Sequence, residues 1–99
     1  MNNEQEKNIK GPVNICVEIP RPDGSVCMYI GRLVRRDSLS IDLTDAAWIA
    51  WTGRRYLFMA GTPDNDCEVE PLPDGMEIEL PAQGAIIMQW PHPLLREPR

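Results

Sequence analysis

Asp45-Ala46-Ala47-Trp48-Ile49-Ala50-Trp51-Thr52-Gly53 carries two of the three tryptophans of a 99-residue chain, three residues apart. Large aromatic side chains anchor cores and interfaces, so the conformation of this stretch decides where much of the apolar mass goes. Two conformations compete for it. As a short helix, capped by Thr44 or Asp45 and ended by Gly53, it sets Ala47, Trp48 and Trp51 on one stripe. As a strand it sends Trp48 and Trp51 to opposite faces of a sheet. The paired alanines and the terminal glycine favour the helix, which lays the aromatic pair on a sheet or on another subunit.

Both flanks of this stretch alternate like strands. Upstream, Val13, Ile15, Val17 and Ile19 interleave with Asn14, Cys16 and Glu18, the period-two pattern of a half-buried strand. Pro20-Arg21-Pro22-Asp23-Gly24 then turns the chain. A second strand from Ser25 to Arg35 has apolar residues on both faces, with Val26, Met28 and Ile30 on one and Cys27, Tyr29 and Leu33 on the other. Such a strand belongs inside a sheet, and Gly31 marks a bulge or a break in register. Arg35-Arg36-Asp37-Ser38 makes the next turn, and Leu39, Ile41 and Leu43 begin a third strand, giving a meander.

Downstream, Tyr56-Leu57-Phe58-Met59-Ala60 is too apolar for solvent and too short to decide between strand and helical turn. After a polar loop at Thr62 to Asp66, Val69 alternates with Glu68 and Glu70, and Met76, Ile78 and Leu80 alternate with Glu77 and Glu79. The intervening Pro71-Leu72-Pro73-Asp74-Gly75 predicts a hairpin with one apolar and one carboxylate face. A last apolar strand runs from Ala85 through Trp90. The expected fold is therefore mainly β, a small antiparallel sheet or partly open barrel with one short helix, an α+β arrangement remaining open. Ten prolines and seven glycines agree with short elements joined by defined turns. Residues 1–12 read as a flexible polar tail, 13–95 as a single domain, and 96–99 as a C-terminal tail.

Charge is unevenly divided. From Arg21 to Met59 there are six arginines against four acids, whereas from Ala60 to Leu95 there are seven acids and no arginine or lysine. Complementary patches of this kind favour self-association. The net charge of −5 argues against a nucleic-acid partner, because most of the surface would repel a polyanion. The start of the chain lacks the apolar run of a signal peptide, which sets a cytoplasmic location as the expectation and gives no membrane role.

Several residue sets invite chemistry. Cys16, Cys27 and Cys67 have no C-x-x-C spacing and read as small buried hydrophobes, and His92, between two prolines, lacks a catalytic partner in sequence. Glu68, Glu70, Glu77 and Glu79 have the composition of a divalent-ion site or an acid/base pair, the basis for a metal-assisted hydrolase reading. The same alternation is what a solvent-facing strand uses to stay soluble. Arg32, Arg35 and Arg36 suit a small anion, the basis for a sponge that binds a signalling nucleotide. No phosphate loop accompanies them.

The segments Tyr29-Ile30-Gly31-Arg32-Leu33, Leu43 through Gly53, and Pro81-Ala82-Gln83-Gly84-Ala85-Ile86-Ile87 resemble small β-rich proteins found in bacteriophages and prophages. The resemblance runs from Tyr29 to Gly61, with an echo at Pro81 to Ile87, and the acidic hairpin has no counterpart in it. It implies a bacterial host cell as the setting, and action by binding: holding a host protein such as a defence component, sequestering a nucleotide, or serving as a minor structural part. It transfers no functional residue. The leading expectation is a non-enzymatic binding or assembly module, without cofactor or metal. It self-associates or takes a host protein through Trp48, Trp51, Arg54, Arg55, Tyr56 and Phe58.

Overall fold

In a computed structural model that describes residues 13–99, the first alternating segment forms strand β1 (Asn14–Pro20), followed by β2 (Val26–Arg36) and β3 (Ser40–Trp51). The expected tail over residues 1–12 lies outside the described residues. β1, β2 and β3 form the antiparallel meander, with Val17 opposite Tyr29 and Leu33 opposite Leu43. An aspartate organises each turn. Asp23 accepts hydrogen bonds from the Ser25 hydroxyl at 2.6 Å and the Ser25 amide at 2.9 Å, and Asp37 accepts from the Leu39 and Ser40 amides at 2.8 and 2.9 Å. These bonds favour the ionised form and hold both carboxyls below the ordinary carboxylate range.

The tryptophan stretch is strand, not helix. β3 continues through it to Trp51, with β2 along one edge and two further strands along the other. Ladder bonds on both sides outweigh the few tenths of a kcal/mol per residue by which alanine prefers a helix. The alanines serve a different purpose. Ala46 and Ala47 are fully buried, and a methyl group built on Gly31 would lie only 3.0 Å from the Ala46 Cβ and 3.1 Å from its Cα. Small residues are required because β2 and β3 approach closely here. The register shifts between Ile30 and Arg32, as Gly31 foreshadows, with Asp45 in the left-handed region at φ 51°, a conformation aspartate tolerates better than most residues.

The helix follows this stretch instead, as α1 (Arg55–Met59). Three strands complete the sheet: β4 (Glu68–Pro71), β5 (Glu77–Pro81) and β6 (Ile86–Gln89), in the spatial order β4-β3-β2-β1-β6 with β5 also on β3. The expected acidic hairpin is absent. β4 pairs with Ala47 to Trp51 and β5 with Ser40 to Thr44, both antiparallel to β3, so β4 and β5 run in the same direction, end to end along one edge. The Pro-Leu-Pro-Asp-Gly segment bridges them opposite the β3 bulge, and the Leu72 amide donates to the Ala46 carbonyl at 2.9 Å. The fold is thus a small, open, mainly β domain with one short helix, and no helix among the described residues is long and apolar enough to cross a membrane.

Each face of the sheet carries a core. On the first, Cys16, Met28, Ile30, Ala47, Ile49 and Val69 pack under Phe58 of α1, Cys67 and Trp90. On the second, Ile15, Val17, Ile41, Leu43, Ala46 and Leu80 cluster together. Burial pushes the Cys16 thiol up to about 12, with the Glu18 carboxylate adding to the effect, and burial raises Cys67 as well. Both are inert core residues. The chain after β6 straps the first face. Trp90 packs against Phe58 in a tilted arrangement with ring centroids 5.3 Å apart and donates its indole N–H to the Pro93 carbonyl at 3.0 Å. His92 meets Trp90 edge-on and places Nε2 2.9 Å from the Met59 carbonyl oxygen. Arg96 and Arg99, expected in a tail, hold the strap down: Arg96 donates to the Ala46 and Leu72 carbonyls at 2.8 and 2.6 Å, and Arg99 exchanges backbone hydrogen bonds with Val69.

Candidate functional site

At the far end of β3 the large side chains of Val26, Trp51 and Tyr56 reach solvent, as Leu39 does at the opposite end. β3 is bulged at Ala50, its register against β4 shifting between Ile49 and Trp51, and Gly53 then ends the extended chain at φ +68°. Only glycine fits there. A Cβ at Gly53 would sit 2.1 Å from Oδ1 of Asp64, whose carboxylate accepts the Arg54 amide at 3.1 Å and the Asp66 amide at 3.0 Å. Asp64 therefore clamps the turn that launches α1.

Two further contacts orient that helix. Phe58 drives into the core, fully buried, and Arg55 donates to the carboxylate of Glu18, a residue only 7% exposed on the first face of β1. Neutralising Glu18 is necessary, since an unpaired buried carboxylate costs several kcal/mol. With Phe58 inward and Arg55 across the sheet, Tyr56 stands 81% exposed, and Arg54 is exposed at the head of the helix. Trp51, 58% exposed, and Val26, 52% exposed, flank a shallow groove of about 350 Å³ floored by Met28 and Ile49 and closed at one side by Arg55.

The six residues singled out for contact thus divide. Trp51, Arg54 and Tyr56 are exposed, at the end of β3 and the start of α1. Phe58 is core and has no surface to offer, and Arg55 is engaged with Glu18. Trp48 alternates with the buried Ala47 and Ile49 and so projects from the second face, in a row with Tyr29 and Glu70; it is 39% exposed. Val26 and Asp64 were not singled out in sequence. Val26 sits in an ordinary strand alternation, and Asp64 acts across ten residues on Arg54, a separation that no local pattern marks.

The arginines do not converge. Arg32 pairs with Asp45 at 2.8 Å, and Arg35 reaches Asp42 at 3.3 Å and Asp37 at 3.6 Å. No carboxylate of the described residues lies within ion-pair distance of Arg36 at the end of β2. Arg32 does line an open pocket of about 580 Å³ with Asn14, Asp45, Asp74, Leu94 and Arg96. Its two arginines are matched by two aspartates, Arg96 meeting Asp74 at 2.6 Å, so the pocket offers no net positive charge to an anion. Glu68 and Glu70 lie on β4, and Glu77 and Glu79 on β5, separated by the bridging segment; no group of three or more metal-binding side chains occurs among the described residues.

No family model matches the chain, and no curated protein and no solved structure matches it.

Proposed function

We propose that this chain is a non-enzymatic binding module that takes a protein partner at the Trp51–Tyr56 end of the sheet. One observation carries the reading. Trp51 and Val26 stand more than half exposed on either side of an apolar groove and Tyr56 is exposed on the helix that follows, while the clamp at Asp64 and the Arg55–Glu18 pair hold the supporting backbone in place. Rigid aromatics beside an exposed arginine are what interface hot spots are made of, each contributing about 2 kcal/mol or more when a partner covers it. Preorganisation lowers the ordering cost of association. The partner in this reading is a host-cell protein, the one expected if the sequence likeness to phage and prophage proteins holds.

The test is native mass spectrometry of protein purified gently from cells, comparing the natural chain with Trp51→Ala/Tyr56→Ala. The expected result is a heteromeric mass for the natural chain and a bare chain for the double variant, with equal melting temperatures. Retention of the same partner mass by both proteins, or by neither, overturns the reading.

A further inference from the structure

The two outer edges of the sheet are built in opposite ways. On one side, the β4–β5 edge carries Glu68, Glu70, Glu77 and Glu79 together with Pro71 and Pro81, and its Val69 backbone is already paired, Val69 N–H to Arg99 O at 3.1 Å and Arg99 N–H to Val69 O at 3.0 Å. Charges, prolines and a covering strap are the devices by which proteins keep sheet edges from pairing. On the other side, β6 carries no charge, no proline and no covering strap among the described residues, and only its length of four residues limits its pairing.

β6 pairs with β1 through Ile86, Met88 and Trp90: Met88 lies opposite Cys16, Ile86 opposite Glu18, and the Trp90 amide donates to Asn14 O at 2.9 Å. In an antiparallel ladder the intervening residues turn both backbone groups the other way. The amides and carbonyls of Ile87 and Gln89 therefore point outward, where no described residue pairs with them. The side chains along this edge are apolar or neutral, and Ile86 is 51% exposed. From Pro81 to Leu95 the sequence contains no Asp, Glu, Lys or Arg.

We infer that β6 is the pairing edge of a two-fold dimer, in which Ile86–Gln89 runs antiparallel against the same strand of a second copy. A bare strand edge needs an extended, uncharged strand with its own edge free, and a second copy of this chain supplies one. Although each chain carries a net charge of −5, a contact centred on β6 sets no like charges opposite one another. The guarded β4–β5 edge prevents β6 from adding to the other side of a neighbour, which would build an open filament; the isologous contact closes at two chains. A strand of four residues buries less surface than a permanent interface, so the dimer is concentration-dependent. It rests on a different edge from the Trp51–Tyr56 end and does not depend on that reading.

Sedimentation equilibrium of the full chain tests this, with Ile86→Lys and Gln89→Pro as variants. The first puts a charge on the exposed edge, and the second removes an outward amide that β1 does not use. The expected result is a rise from 11.2 kDa toward twice that mass with concentration, dimerisation weakened about tenfold or more in both variants, and unchanged dimerisation in Trp51→Ala/Tyr56→Ala. Concentration-dependent exchange protection of the Ile87 and Gln89 amides accompanies it. A natural chain that stays monomeric at millimolar concentration, or variants that dimerise like it, overturns the inference. So does a chain that dimerises only after removal of residues 1–12, which would assign the edge to the protein's own N-terminal segment.

Discussion

The crossing of β2 and β3 at Gly31 and Ala46 contrasts with the end of β3 some five residues later. At the crossing, Gly31 and the buried Ala46 bring two backbones together with no room for another methyl group. At the end, Trp51 and Tyr56 stand in solvent over a firmly held turn. Of the three tryptophans only Trp90 fills the core, 3% exposed against 39% and 58% for Trp48 and Trp51. The difference teaches that stability in this chain comes from close approach of strands and from a strap, which leaves the aromatic end free for another purpose.

Four substitutions or conditions break or sharpen this contrast. The largest effect is expected at the one buried tryptophan: Trp90→Ala removes the ring that packs on Phe58 and His92, costing about 3–5 kcal/mol in chemical denaturation, whereas a loss under 1 kcal/mol would mean that the strap is dispensable. Next comes Gly31→Ala, whose methyl group meets both the side chain and the backbone of Ala46; about 1–3 kcal/mol of destabilisation should follow, and a neutral result would show that the crossing is looser than its distances.

Alkaline pH probes the first core. The Cys16 thiol is raised to about 12 from an ordinary 9.0, so the folded state holds its proton more tightly than the unfolded state does. Its contribution is complete below pH 9 and is lost as pH rises toward 12. Melting curves across that window should fall for the natural chain and fall less for Cys16→Val; identical slopes would remove Cys16 from the core's alkaline sensitivity. The smallest effect belongs to the aromatic end, where Trp51→Ala/Tyr56→Ala should change stability by no more than about 0.5 kcal/mol. A loss several times larger would show these rings to be part of the fold.

Much of the fold was legible because it is written locally. Alternation marked β1, β2 and the first half of β3, the Asp-Gly and Asp-Ser segments marked the turns, and Gly31 marked a bulge or a break in register. Two readings failed for one physical reason, that β3 is longer than its local pattern shows. Ala46-Ala47 has helical preference in isolation, and Gly53 terminates a strand as readily as a helix once φ is positive. The acidic segments have hairpin spacing, yet β3 offers an edge long enough to take both in succession. Contacts across the chain were not legible: Arg55 to Glu18, and Arg96 to carbonyls as far away as Ala46. Of the contact residues, Trp51, Arg54 and Tyr56 are exposed, whereas nothing local distinguishes the buried Phe58 from the exposed Tyr56 two positions earlier.

The most direct test of the central claim, that the β3 tryptophans face outward while Trp90 holds the core, is hydroxyl-radical footprinting of the isolated chain at low concentration, read by peptide mass. Oxidation is expected to be fastest at Trp51, slower at Trp48, and absent at Trp90 until the protein unfolds. Protection of Trp51 equal to that of Trp90 would contradict the account and return the aromatic pair to the core.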